Sequence, residues 1–138
     1  SDGGCSKLRA SFAGVGRMSE FKGQTGLKRI LNAAGYSLDG LRAAFLGEAA
    51  FRQLVLLNLL LIPSAFVFEV SRAERALMVA VCLLALIVEL LNSAIEAAID
   101  RISLERHPLS KNAKDMGSAA QLLALGMIAS VWAIILLG

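Results

Sequence analysis

The hydrophobic and polar positions of this chain fall into three long apolar stretches, about Ala49 to Phe68, Ala76 to Ile99 and Ala119 to Leu137, separated by short charged links. Each has about the length a helix needs to cross ~30 Å of hydrocarbon, so each predicts a transmembrane helix. Ahead of them, Leu27, Ile30, Leu31, Ala34, Leu38, Leu41 and Phe45 recur at three- and four-residue spacing, with Lys28, Arg29, Asp39 and Arg42 off that stripe. This pattern predicts an amphipathic surface helix over about 26–47 at the cytoplasmic interface, broken at Gly35; a helix packed on the bundle fits it too. Residues 1–25 are rich in glycine and serine and show no period, which predicts a flexible tail. Met18 is a candidate alternative start there, and the first ~50 residues hold no apolar core long enough for a signal peptide.

The second span is interrupted by polar groups. Glu89, Asn92, Ser93, Glu96 and Asp100 follow i, i+3, i+4, i+7, i+11 spacing, so on a helix they share one stripe while leucine and alanine cover the rest. Such a stripe has to face protein, water or ligand. Glu89 and Glu96 are separated by roughly 10 Å along the axis, so one carboxylate lies deeper than the other.

Composition supports a membrane protein throughout, since 57% of residues are hydrophobic and few are aromatic. One compact membrane domain over 26–138 follows. Lysine and arginine crowd the segment before the first span and the loop carrying Arg101, Arg106, Lys111 and Lys114, which places both on the cytoplasmic side. The link with Arg72 and Arg75 against Glu69 and Glu74 fits the far side. The net charge of +3 is thus concentrated on one face, and no basic soluble domain or stacking platform suggests nucleic acid. Cys5 and Cys82 fall in the tail and the second span, so neither a disulfide framework nor metal-type Cys/His spacing is present. His107 has no partner histidine, and no GxxxxGK[ST] loop occurs.

The chemistry available lies at the cytoplasmic edge. Glu48 stands at the junction of surface helix and first span, Glu96 near the end of the second, and Lys114 and Asp115 just before the third. Carboxylates at this level suit Mg²⁺, which usually arrives with phosphates, and Arg29, Lys111 and Lys114 can neutralise those phosphates. Solvation, or pairing with arginine, explains the two glutamates equally simply. Glu89 differs, being flanked by Leu86, Ile87, Val88, Leu90 and Leu91. A carboxylate held away from water suits a general base, and an interhelical hydrogen bond that ties the bundle together is the competing reading. Asn92 and Ser93 suit helix–helix bonding, Gly117 to Ala120 close packing, and Trp132 packing or lipid contact.

Three segments, AAGYSLDGLRAAFLGEAAFRQ (Ala33 to Gln53), ELLNSAIEAAIDRI (Glu89 to Ile102) and AKDMGSAA (Ala113 to Ala120), together resemble the bacterial integral-membrane diacylglycerol kinase family. The likeness runs ungapped from about Gly26 to the C-terminal end. It implies an all-α homotrimeric bundle in the bacterial inner membrane, each subunit with three transmembrane helices and an N-terminal amphipathic surface helix, the N-terminus being cytoplasmic. It also implies an enzyme that uses ATP with Mg²⁺ to phosphorylate diacylglycerol to phosphatidic acid.

By resemblance, Glu89 is the base on the lipid hydroxyl, Glu48 and Glu96 hold the metal that accompanies ATP, and Asn92 supports the site. The nucleotide would be surrounded by Arg29, Tyr36, Glu48, Glu96, Glu105, Arg106, His107, Lys114 and Asp115. The lipid would lie among Arg29, Ala33, Ala34, Gly35, Tyr36, Ser37, Leu38, Arg42, Ala43, Ala44, Phe45, Ala50, Phe51, Arg52, Gln53, Leu54, Glu89 and Ser118. Because one thin subunit does not readily enclose both ligands, sites shared between subunits are expected. Asn112 and Leu38 depart from the family pattern, which favours a basic residue and an aromatic at these places. An undecaprenol kinase of the same family is the alternative, disfavoured by the surface-helix segment. A non-enzymatic channel or transporter subunit is the alternative of another class, and the paired ELLNSAIE and AKDMGSAA motifs argue against it.

Overall fold

The computed structural model describes residues 26–138, and among them every regular element is a helix. Helix α1 is Gly26–Gly47, α2 is Ala49–Val67, α3 is Arg72–Ile102 and α4 is Pro108–Leu137. The tail expected over 1–25, with Met18 and Cys5, lies outside the described residues. The expected break at Gly35 is absent: α1 runs through it without interruption.

Up to Gly40, α1 forms one unit, and Leu41–Gly138 forms a second. In the first, every residue from Gly26 to Gly40 is exposed. Ser37 donates its hydroxyl to the Ala33 carbonyl one turn back.

In the second unit, α3 is the helix on which both α2 and α4 pack. At 31 residues it is about 46 Å long by the 1.5 Å rise, well beyond the ~30 Å of hydrocarbon. The 30-residue α4 is similarly longer than that thickness, and both helices carry polar side chains toward the turn that joins them. Alpha-helices α2, α3 and α4 are each long and apolar enough to span. Between 17% and 28% of each apolar window is buried within the subunit, so most of the leucine-rich surface faces outward, as lipid or further protein requires.

Local chemistry sets each corner. Glu48 has extended backbone between α1 and α2, and Arg52 donates from Nη1 to the Phe45 and Leu46 carbonyls, at 2.8 and 3.1 Å, satisfying groups that the end of α1 leaves open. At the next corner Ser71 and Glu74 form a reciprocal capping box. His107 caps α4 by accepting the Leu109 N–H at Nδ1, with Pro108 at the first helical position, where its missing N–H leaves no bond unmade.

The core lies toward the α2–α3 end: Leu54, Ala65, Met78, Val81, Cys82, Ala85, Ala124, Ile128 and Trp132. The alanines let backbones approach, so dispersion between close-packed helices stabilises the contact where lipid removes the hydrophobic difference. Trp132 is buried and donates its indole N–H to the Met78 carbonyl at 3.2 Å, while Asn58 donates from Nδ2 to the Cys82 carbonyl at 3.1 Å. Packing is thus the role the structure gives Trp132.

Candidate active site

The polar stripe on α3 changes from buried to exposed along its length. Glu89 is buried at 6% exposure, Asn92, Ser93 and Glu96 are half-buried, and Asp100 is exposed. The antiparallel pairing of α3 and α4 fixes the direction, because Trp132 meets Met78, Gly117 meets Asn92 and Lys114 meets Asp100. Glu89 therefore sits between the apolar core and the charged turn.

Glycine at 117 makes room for the Asn92 side chain. A Cβ there would overlap Asn92 Oδ1 and stand 3.2 Å from its Cγ, so the amide occupies the space a side chain would need. Asn92 Oδ1 is enclosed against α4 and has no hydrogen-bond partner within the subunit.

Glu48 and Glu96, both half-buried, lie within electrostatic reach of Glu89. The structure thus gathers three of the acids singled out by sequence. Among the described residues, no group of three or more His, Cys, Asp or Glu is arranged as a metal cage. Two carboxylates still fit Mg²⁺, which keeps several waters and takes its remaining oxygens from nucleotide phosphates. Neither glutamate is spent in either of the described ion pairs.

The α3–α4 turn encloses a hollow of about 700 Å³. Glu105, Arg106, His107, Lys114 and Asp115 all line it, along with Asp100, Ser103 and Lys111 and an apolar side from Ile99, Leu104 and Pro108. Lys114 Nζ bonds Asp100 Oδ1 at 2.8 Å, and Lys111 Nζ bonds Asp115 Oδ2 at 2.6 Å. Asp100 was visible as a member of the stripe, but its pairing with Lys114 spans the turn and follows only from the fold.

The residues expected around the lipid divide. Arg29, Ala33, Ala34, Gly35, Tyr36, Ser37 and Leu38 are exposed on α1, as are Arg42, Ala43 and Phe45 further along it. Ala44, Phe51 and Leu54 are buried within the subunit, and Arg52 is engaged with the corner carbonyls. Ala50, Gln53 and Ser118 are exposed.

Three spanning helices with an acid stripe that ends in a lysine-lined hollow define a multi-pass, all-helical membrane protein with a polar site at one end of its helices. Within that class, the chain belongs to the prokaryotic diacylglycerol kinase family, whose model matches residues 35–136. A diacylglycerol kinase of Pseudomonas aeruginosa is 79% identical over 120 residues, covering 87% of this chain and 98% of that relative. Its counterpart from Escherichia coli K12 is 51% identical over 112 residues, covering 81% and 92%. One from Haemophilus influenzae is 46% identical over 108 residues, covering 78% and 92%.

Proposed function

We propose that this protein transfers the γ-phosphoryl group of ATP to the free hydroxyl of diacylglycerol, giving phosphatidic acid and ADP at the cytoplasmic edge of the bacterial inner membrane. The observation that carries this reading is the α3 stripe, which runs from a carboxylate buried among apolar side chains to an exposed aspartate–lysine pair beside the α3–α4 turn. A reaction between a lipid acceptor and a water-soluble donor needs a site that joins those two surroundings. Membership of the family and the names of the relatives support the same activity.

In the proposed step Glu89 accepts the proton of the lipid hydroxyl as the oxygen attacks the γ-phosphorus. The bond from that phosphorus to the β–γ bridging oxygen breaks, and ADP leaves. Mg²⁺, when bound, would offset charge on the phosphates. Glu48 and Glu96 would hold it, and Lys114, oriented by Asp100, would neutralise a phosphate oxygen. Arg29, Tyr36, Glu105, Arg106, His107 and Asp115 complete the nucleotide set. Asn92, fixed against Gly117, would present its amide beside the reacting groups.

A homotrimer belongs to the same proposal, with α1 as an amphipathic helix at the cytoplasmic interface and each site shared between subunits. Glu89→Gln tests the assignment. Turnover with diacylglycerol should fall at least ~100-fold, the usual scale for losing a general base, while MgATP still binds. Near-normal turnover would make Glu89 structural. Glu96→Gln should instead raise the Mg²⁺ concentration needed for half activity, and an unchanged titration would remove it from the metal set.

A further inference from the structure

On α4 the buried residues Gly117, Ala124, Ile128 and Trp132 repeat at helical spacing, and Gln121, half-buried, falls on the same stripe. On α3 the corresponding stripe is Met78, Cys82, Ala85, Glu89 and Asn92. Two contacts fix the register of this antiparallel pair, Asn92 against Gly117 and the Trp132 indole on the Met78 carbonyl. From Gly117 toward Trp132, Gln121 is about 6 Å along the axis, and from Asn92 toward Met78, Glu89 is about 4.5 Å along it. Gln121 and Glu89 therefore stand at one level of the pair, one turn beyond the Asn92–Gly117 contact.

Gln121 Oε1 is enclosed and has no hydrogen-bond partner. An amide oxygen inside an apolar helix pair is costly unless a donor reaches it. The backbone N–H groups at this level are used within the helices themselves. Ala85 and Ala124, the neighbouring positions on the two stripes, carry no donor, and the Asn92 amide is turned onto Gly117. Glu89, buried at 6% exposure, is the group at this level that can supply a hydrogen, and it does so once its carboxylate has taken up a proton.

We infer that Gln121 is a positioning residue for phosphoryl transfer, its Oε1 accepting the hydrogen bond of the Glu89 carboxyl group when that group holds the proton of the lipid hydroxyl. The inference rests on the role proposed for Glu89. As the lipid oxygen bonds the γ-phosphorus and the bond to the β–γ bridging oxygen breaks, the hydroxyl proton passes to Glu89, and the new O–H donates to Gln121 Oε1. Gln121 thus acts through Glu89 and not on the lipid or the nucleotide. Its bond forms as the proton arrives, so it favours the transition state over the bound substrates and belongs to kcat. An amide provides this acceptor without placing a further negative charge beside the carboxylate, as a glutamate at 121 would.

A double-mutant cycle on the full chain, in mixed micelles with diacylglycerol and MgATP, tests it. Gln121→Met keeps the length and unbranched shape of the side chain and removes the acceptor. On its own it should lower kcat about tenfold, the loss of one hydrogen bond, with the KM for diacylglycerol and for MgATP each within about twofold of the wild type. In the Glu89→Gln protein, whose slow residual turnover no longer sends the proton to position 89, the same change should leave kcat within about twofold. An equal fall in both backgrounds would overturn the inference and make Gln121 a packing residue, as would a kcat unchanged by Gln121→Met alone. Near-normal turnover of Glu89→Gln by itself would remove the base, and this inference with it, so the two failures are told apart.

Discussion

At the scale of single residues, the site is organised by close fits and unequal burial. Gly117 and Asn92 are the clearest case, because the missing Cβ is what admits the amide. Gly117→Ala should force either the amide or the helix to move, destabilising the fold by about 1–3 kcal/mol, the usual range for overpacking. A thermal melt in detergent checks this, and an unchanged midpoint together with unchanged activity would show that the contact yields freely. Lys114 is held by Asp100 across the turn, so its charge points into the hollow from a fixed base. Lys114→Met should raise the KM for ATP about tenfold, the loss expected for one charge-assisted hydrogen bond, and leave the KM for lipid within twofold. Equal effects on both would place the lysine outside the nucleotide site. The acid stripe itself was legible from spacing alone, because one helical period relates its members. What Asn92 touches was not legible, because Gly117 is brought to it by a different helix.

At the scale of elements, the helices follow from apolar length, and their ends follow from local caps. The three spans were readable because runs of leucine, isoleucine and alanine leave a helix as the structure that satisfies its own backbone in hydrocarbon. Two of the helices, α3 and α4, outrun those spans: α4 begins at Pro108, eleven residues before the apolar stretch at Ala119, because Pro108 and the His107 cap start it early. A break at Gly35 was expected from glycine's low helix propensity, yet α1 runs through it, with Ala33 and Ala34 just ahead favouring helix. Arg52 and His107 show the limit of reading side chains by type. The resemblance carries them to the lipid and the nucleotide, and each is in addition seen holding a helix end, a role that depends on where the chain turns. Trp132 links α4 to α3 through the Met78 carbonyl within the core. Trp132→Phe should lower stability by about 1–2 kcal/mol through the lost bond and reduced volume. Denaturation in mixed micelles measures this, and a variant as stable as the wild type would show that the indole bond contributes nothing net.

At the scale of the whole molecule, much of the apolar surface of α2, α3 and α4 is left outward, and the polar atoms that lack partners concentrate within these helices: Asn58 Oδ1, Asn92 Oδ1 and Gln121 Oε1. The outward apolar area is what lipid, or the further copies proposed for the assembly, would cover, whereas the three oxygens are enclosed within the subunit. Under the proposed function the assembly completes a site in which diacylglycerol meets ATP at one depth. The decisive measurement is phosphate transfer from labelled ATP by the purified protein in mixed micelles, run with diacylglycerol, with undecaprenol and with no added lipid. Labelled phosphatidic acid in the diacylglycerol arm, with little product in the other two, is the predicted result. Preferential labelling of undecaprenol, or no transfer to either lipid with Mg²⁺ present and the assembly intact, would contradict it.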